Sequence, residues 1–295
     1  MSRFADEPGE LQIELTEDGS ITLRDRATGE LFHNPAGAWT EACENYLLPS
    51  RALNIVQERG AVKVLDVCFG LGYNSLVLLA EALRLRLSGE ISLVALESDR
   101  GVLALWRRVL ADARFADLEQ WLKGRITDEG FVIEGDGLTM ELEIRCCDFR
   151  QALPQLEGVF DLVFHDPFSP GRLPQLWTID IFQEYSRLLA GRGGSVLTYS
   201  SAVAVRSALQ MCGFTVRRTA AVGAKSGGTL ASLTPGYYIH DNNSFPLSDE
   251  EEARLKTTSA VPYRDPSLTG EALTVRQCRQ RELGEVASRR AFPEA

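Results

Sequence analysis

Four short segments carry residues that can act together on one bound molecule. The first is Asp66-Val67-Cys68-Phe69-Gly70-Leu71-Gly72-Tyr73-Asn74. Its glycines let the backbone turn tightly and approach a ligand at the start of a helix, whose free amides favour polar or anionic groups. The second is Glu97, closing ISLVALE. A carboxylate there can accept hydrogen bonds from the vicinal hydroxyls of a ribose; it also reads as a solvated strand end, with Asp99 capping the next helix. The third is Asp148, after ELEIRCC, placed to accept from the exocyclic amine of an adenine, to cap the short helix FRQAL, or both. The fourth is His165-Asp166-Pro167-Phe168-Ser169-Pro170. Two prolines stiffen that loop, fixing Asp166 and exposing Phe168, while His165 reads as a packed histidine on a buried strand.

The pattern excludes some chemistries. No GxxxxGK[ST] run is present, which disfavours nucleoside triphosphate hydrolysis. The run GLGYNS lacks the last glycine of a dinucleotide fingerprint, and Cys68 stands where another glycine is expected. A nucleoside cofactor without a pyrophosphate remains: S-adenosylmethionine or its decarboxylated form.

The elements that must position these groups follow from periodicity. VKVLDVC, ISLVALE, the second arm of FVIEGDGLTMELEIRCCD, FDLVFHD and GGSVLTYS read as short buried strands. Amphipathic stretches over 72–87, 101–115, 174–190 and 201–213 read as helices. That alternation predicts an α/β doubly wound parallel sheet covered on both faces, with ligands outside the carboxyl ends of the strands. FTVRRTAAVG and GTLASLT are separated only by a loop and must run antiparallel, as a hairpin at the sheet edge. Residues 10–33 read as a small antiparallel unit turning at Asp18-Gly19 and again at Thr28-Gly29, followed over 37–59 by helix broken near Pro49-Ser50. The expected organisation is an extension (1–60) packed on the main domain (61–240), then a tail (241–295) ending in an arginine-bearing helix.

Composition sets outer bounds. Among 295 residues, 41 acidic and 31 basic side chains give a net charge of −10, which argues against coating nucleic acid through bulk charge. An apolar fraction of 44 % is that of a folded chain. No apolar run approaches the roughly 18–20 residues of a membrane span, and MSRFADEPGE carries no secretory signal. Six scattered cysteines without a CxxC pair read as reduced thiols. The expectation is a cytoplasmic protein with neither metal nor membrane partner.

With these residues in view, DVCFGLGYNS, ALESD, RCCDFR and FDLVFHDPFSPGRLPQLWT resemble the methyltransferase half of the bifunctional bacterial tRNA-modifying enzyme MnmC, and more closely its stand-alone versions. The resemblance covers about residues 15–235 and includes DGSITLRDRATGELFHNPAGAWTEA and AKSGGTLASL. It implies a class I methyltransferase sheet that binds S-adenosylmethionine, and methylation of the primary amine of 5-aminomethyl-(2-thio)uridine at the tRNA wobble position. It assigns Phe69, Gly70, Gly72 and Asn74 to the cofactor's methionine end, Glu97 to its ribose and Asp148 to its adenine, with Cys68, in place of the family's glycine, a further cofactor-binding candidate in the same loop. Asp166 faces the transferring methyl and the incoming amine, which it positions rather than deprotonates. Phe168 and Trp177 are candidates to stack on a splayed base, with core packing open for Trp177. Arg172 takes the place of a lysine-containing stretch as a phosphate contact. Lys225 is the foremost candidate RNA contact, beside Arg145, Arg150, Arg217, Arg218 and the C-terminal arginines. The resemblance implies no FAD; an upstream oxidative step then needs a separate enzyme. Two other readings stay open: an aminopropyl- or small-amine methyltransferase, and a non-catalytic binding protein on the same fold.

Overall fold

The computed structural model describes residues 11–25, 29–222, 227–238 and 242–291. Strands β1 (Leu11–Leu15) and β2 (Ile21–Asp25) pair antiparallel as a two-stranded sheet. Their turn is tied by Asp18, whose carboxylate accepts from the Ser20 and Thr40 amides at 2.9 and 3.0 Å. Thr28, in the expected second turn, lies outside the described residues. The helix that follows is broken twice. Ala38–Glu41 is α-helical, Ala42–Leu47 is a π-helical turn, and Arg51 interrupts at φ 55° before Ala52–Arg59. The second break falls just after Pro49-Ser50.

The main sheet has nine strands in the order β11-β9-β10-β8-β7-β3-β4-β6-β5. They are β3 (Ala61–Val67), β4 (Gly89–Glu97), β5 (Gly130–Gly135), β6 (Leu138–Cys146), β7 (Leu162–His165), β8 (Ser195–Thr198), β9 (Thr215–Thr219), β10 (Thr229–Ser232) and β11 (Ser244–Phe245). Strands β6, β4, β3, β7 and β8 are parallel, and the outer ones antiparallel. Strand order reverses between β3 and β7, where Val67 sits beside His165. A crevice opens at such a reversal. The expected hairpin forms, but β10 inserts between β8 and β9, and β11 from beyond residue 240 covers the outer edge.

Alternating side chains of β3 feed two apolar layers. Val62 and Val64 join the layer under the helix Tyr73–Arg84 and the N-terminal segment; Leu65 and Val67 join the one under the helix Ile179–Leu189. The stretch 101–115 is not one helix. Asp99 caps Arg100–Leu103 through the Gly101 and Val102 amides. Asp112 then adopts an extended conformation between the 3-10 turns Trp106–Ala111 and Ala113–Phe115. An aspartate accepting a following amide offers the backbone a partner that competes with a continuous helix. Near the end, Ser248 and Glu251 form a capping box on Asp249–Leu255, and the last helix is Ala272–Ala291. Among the described residues, no helix is long and apolar enough to cross a membrane, and the six cysteines are free thiols.

Candidate active site

A cavity of about 730 Å³ opens over the carboxyl ends of β3, β4 and β7. One end is lined by Cys68, Gly70, Glu97, Ser98, Asp99 and Val102; the other by Phe32, His33, Asn34, Glu41, Phe168 and Tyr199, with Asp166 on the wall.

The first end is built from backbone. The chain leaves β3 through Cys68 at φ 64°, Gly70 at 58° and Gly72 at 81°. A side chain at 72 would place its Cβ 2.4 Å from the Phe69 ring, so only glycine fits. Beneath the turn, Ser75 Oγ donates to the buried Asp66 carboxylate at 2.6 Å, and burial pushes Asp66 up to about 7. Glu97 accepts the Gly70 amide at 3.0 Å through Oε2, and the Ser98 and Asp99 amides at 2.7 and 2.9 Å through Oε1. A carboxylate has about four lone-pair sites, so these amides leave Glu97 room for one hydroxyl rather than a ribose pair. Burial raises its pKa against the pull of those amides. Burial also raises the Cys68 thiol, keeping it neutral. A turn with an accessible Gly70 backbone beside a carboxylate, in a cavity of this volume, fits the nucleoside cofactor anticipated from sequence.

The second end is built from side chains brought from afar. Asp166 accepts from Tyr46 Oη at 2.7 Å on Oδ1 and from Asn74 Nδ2 at 2.9 Å on Oδ2. The Tyr199 hydroxyl donates to the Pro167 carbonyl at 2.8 Å. The Phe32 and Phe168 rings meet edge to face at 5.0 Å. Glu41, buried, accepts the Asn34 amide at 2.8 Å, and Thr22 Oγ1 lies 2.9 Å from His33 Nδ1. Burial lowers His33 to about 4, so the ring is neutral at physiological pH.

Several expected site residues stand elsewhere. Phe69 turns into the core against Trp106, centroids 6.2 Å apart, because the glycine at 72 leaves space for its ring. Asn74 does not line the cavity; it holds Asp166. Asp148 also lies off the cavity wall, capping Phe149–Ala152 and paired with Arg150 at 2.7 Å. Trp177 is fully buried beside His165 and donates its indole N–H to the Phe168 carbonyl at 2.8 Å, so it supports the loop and stacks on no ligand. His165 is packed as expected, and burial lowers it to about 3. Arg172 lies over the Phe168 ring and pairs with Asp25 at 3.1 Å and with Glu30, joining the loop to the N-terminal unit rather than standing ready for a phosphate. Arg145 pairs with Glu143, Arg217 binds Ser244, Arg218 the Pro246 carbonyl, and Arg276 and Arg279 backbone carbonyls. Lys225 lies outside the described residues. Tyr46 and Glu41 were not anticipated; in sequence, Tyr46 is one more apolar residue at helical spacing.

A family model described as S-adenosyl-L-methionine-dependent methyltransferase matches residues 110–234. An uncharacterized protein of Methanocaldococcus jannaschii is 30% identical over 259 residues, covering 86% of this chain and 67% of the relative. The tRNA 5-methylaminomethyl-2-thiouridine biosynthesis bifunctional protein MnmC of Methylibium petroleiphilum is 31% identical over 230 residues, covering 72% of this chain. The match spans only 34% of that relative's length. Among solved structures, MnmC2 from Aquifex aeolicus superposes with a TM-score of 0.72 at 27% identity, over 96% of this chain and 88% of that one.

Proposed function

The chain belongs to the MnmC-like family of S-adenosylmethionine-dependent methyltransferases, and on that premise we propose that it methylates the primary amine of 5-aminomethyl-(2-thio)uridine at the wobble position of tRNA. The observation that carries this reading is Asp166, a carboxylate clamped through both oxygens on the wall of the cavity that also holds the glycine turn and Glu97. When bound, S-adenosylmethionine supplies a methyl group already activated on a sulfonium. The chain's own work is alignment, since holding two reactants in attacking geometry is worth roughly 7–11 kcal/mol. The Gly70 turn and Glu97 hold the nucleoside end, with the backbone around Cys68 and Gly72 shaping the floor. Asp166 accepts an N–H of the acceptor amine and aims its lone pair. Its negative charge also favours the ammonium form, so it serves as a positioner and the proton must leave through a neighbour or water. Phe168 and Phe32 offer apolar edges to the base.

In a bacterial strain deleted for its own enzyme of this class, the chain restores the methylated wobble nucleoside, read by mass spectrometry of tRNA digests. The Asp166→Ala variant fails to restore it while retaining cofactor binding. Full restoration by that variant, or none by the unaltered chain, overturns the reading.

A further inference from the structure

We propose that Tyr46 is a positioning residue for Asp166, which makes the segment Ala38–Leu47 part of the working site. The inference rests on the reading of Asp166 as the group that receives the acceptor amine.

Tyr46 is wholly buried. Its hydroxyl oxygen accepts the Tyr199 amide at 3.3 Å and lies 2.7 Å from Asp166 Oδ1 and 3.4 Å from the His165 carbonyl. A phenol has one proton to give. With the Tyr199 amide on the oxygen, that proton goes to the nearer, charged partner. Asn74 donates to the opposite oxygen at 2.9 Å. Tyr46 and Asn74, neutral donors on opposite oxygens, fix the plane of the carboxylate.

The donors also disperse its charge in acidic surroundings. Asp66 and Cys68 on the β3 side and Tyr199 after β8 interact electrostatically with Asp166; Glu97 acts on Asp66 and Cys68, and Glu41 on Tyr46 and Tyr199. Dispersal matters because a carboxylate with concentrated charge holds an alkylammonium protonated, and the protonated form cannot attack. Local backbone supports the placement. Tyr46 lies in the π-helical turn Ala42–Leu47 beside Asn45, whose side-chain oxygen accepts from Thr219 Oγ1 at 3.2 Å. Wide turns of this kind recur at functional sites.

The test is the steady-state rate against pH with Tyr46→Phe, using tRNA from the deletion strain and labelled S-adenosylmethionine. Expected are a fall in kcat of about tenfold near neutral pH, an ascending limb displaced upward by about one pH unit, and an unchanged KM for the cofactor. A fluorinated tyrosine placed at 46, a stronger donor of the same shape, displaces the limb downward; it decides the matter if the phenylalanine variant does not fold. A profile superimposable on that of the unaltered enzyme, or a loss equal at every pH with matching loss of cofactor affinity, overturns the inference and leaves the proposed function standing. Absence of transfer by the unaltered enzyme overturns both.

Discussion

The two ends of the cavity are made in different ways. The end proposed for the cofactor is nearly contiguous: Cys68, Gly70 and Gly72 form one turn, and Glu97 reaches back to the Gly70 amide. The end proposed for the acceptor is assembled from Phe32, Glu41 and Tyr46 on one side and Asp166, Phe168 and Tyr199 on the other. A single turn can hold a nucleoside by backbone shape, whereas aiming an amine needs side chains whose orientation is set by contacts from several directions. Damage to the first end therefore shows in binding and stability, and damage to the second in turnover.

The sharpest way to break this contrast is Asp166→Ala. Loss of alignment lowers kcat by about 10²-fold or more, while calorimetry finds cofactor affinity within about twofold of the original; a large loss of affinity would merge the two ends. Next comes Gly72→Ala, whose Cβ meets the Phe69 ring at a φ of 81°. It destabilises the fold by about 2–4 kcal/mol in urea titrations and raises the KM for the cofactor. Asp66→Asn separates charge from packing under the glycine turn. Burial raises Asp66 from 3.8 to about 7 in the folded state. The unfolded chain therefore gives up this proton first as pH rises, and the stabilisation present below 3.8 is lost through about 7. In urea titrations the asparagine variant is more stable than the original chain at pH 8 by about 1–3 kcal/mol and gains little near pH 4. The smallest effect is at Cys68, where Cys68→Gly is more stable than Cys68→Ala by about 1 kcal/mol, because only glycine enters φ 64° without strain.

The same contrast decides what could be read in the sequence. The glycine turn, Glu97 and the Asp166 loop were legible because each lies where a buried strand runs into a turn, a local pattern. The cap at Asp99 was legible for the same reason. Trp177 stayed open between ligand and core because an aromatic residue after a proline-rich loop looks the same in sequence whether it faces a ligand or, as here, packs against His165. Arg172 misled because its partners Asp25 and Glu30 lie far upstream. Tyr46 gave no signal, since its value lies in a carboxylate 120 residues away. The insertion of β10 between β8 and β9 was out of reach for similar reasons: a hairpin's pairing is local, but which arm meets the sheet is decided by packing.

Those long separations bear on how the molecule comes into being. Tyr46 meets Asp166 across 120 residues and the Tyr199 amide across 153. Bringing such distant positions together carries a loop-closure penalty that local pairs escape. During synthesis the glycine turn follows its own strand and is followed at once by its helix, yet the phenol must wait until β8 has left the ribosome. A nascent chain thus has the glycine turn in place well before the Asp166 carboxylate is held from both sides, and a product released early lacks the second end of the cavity.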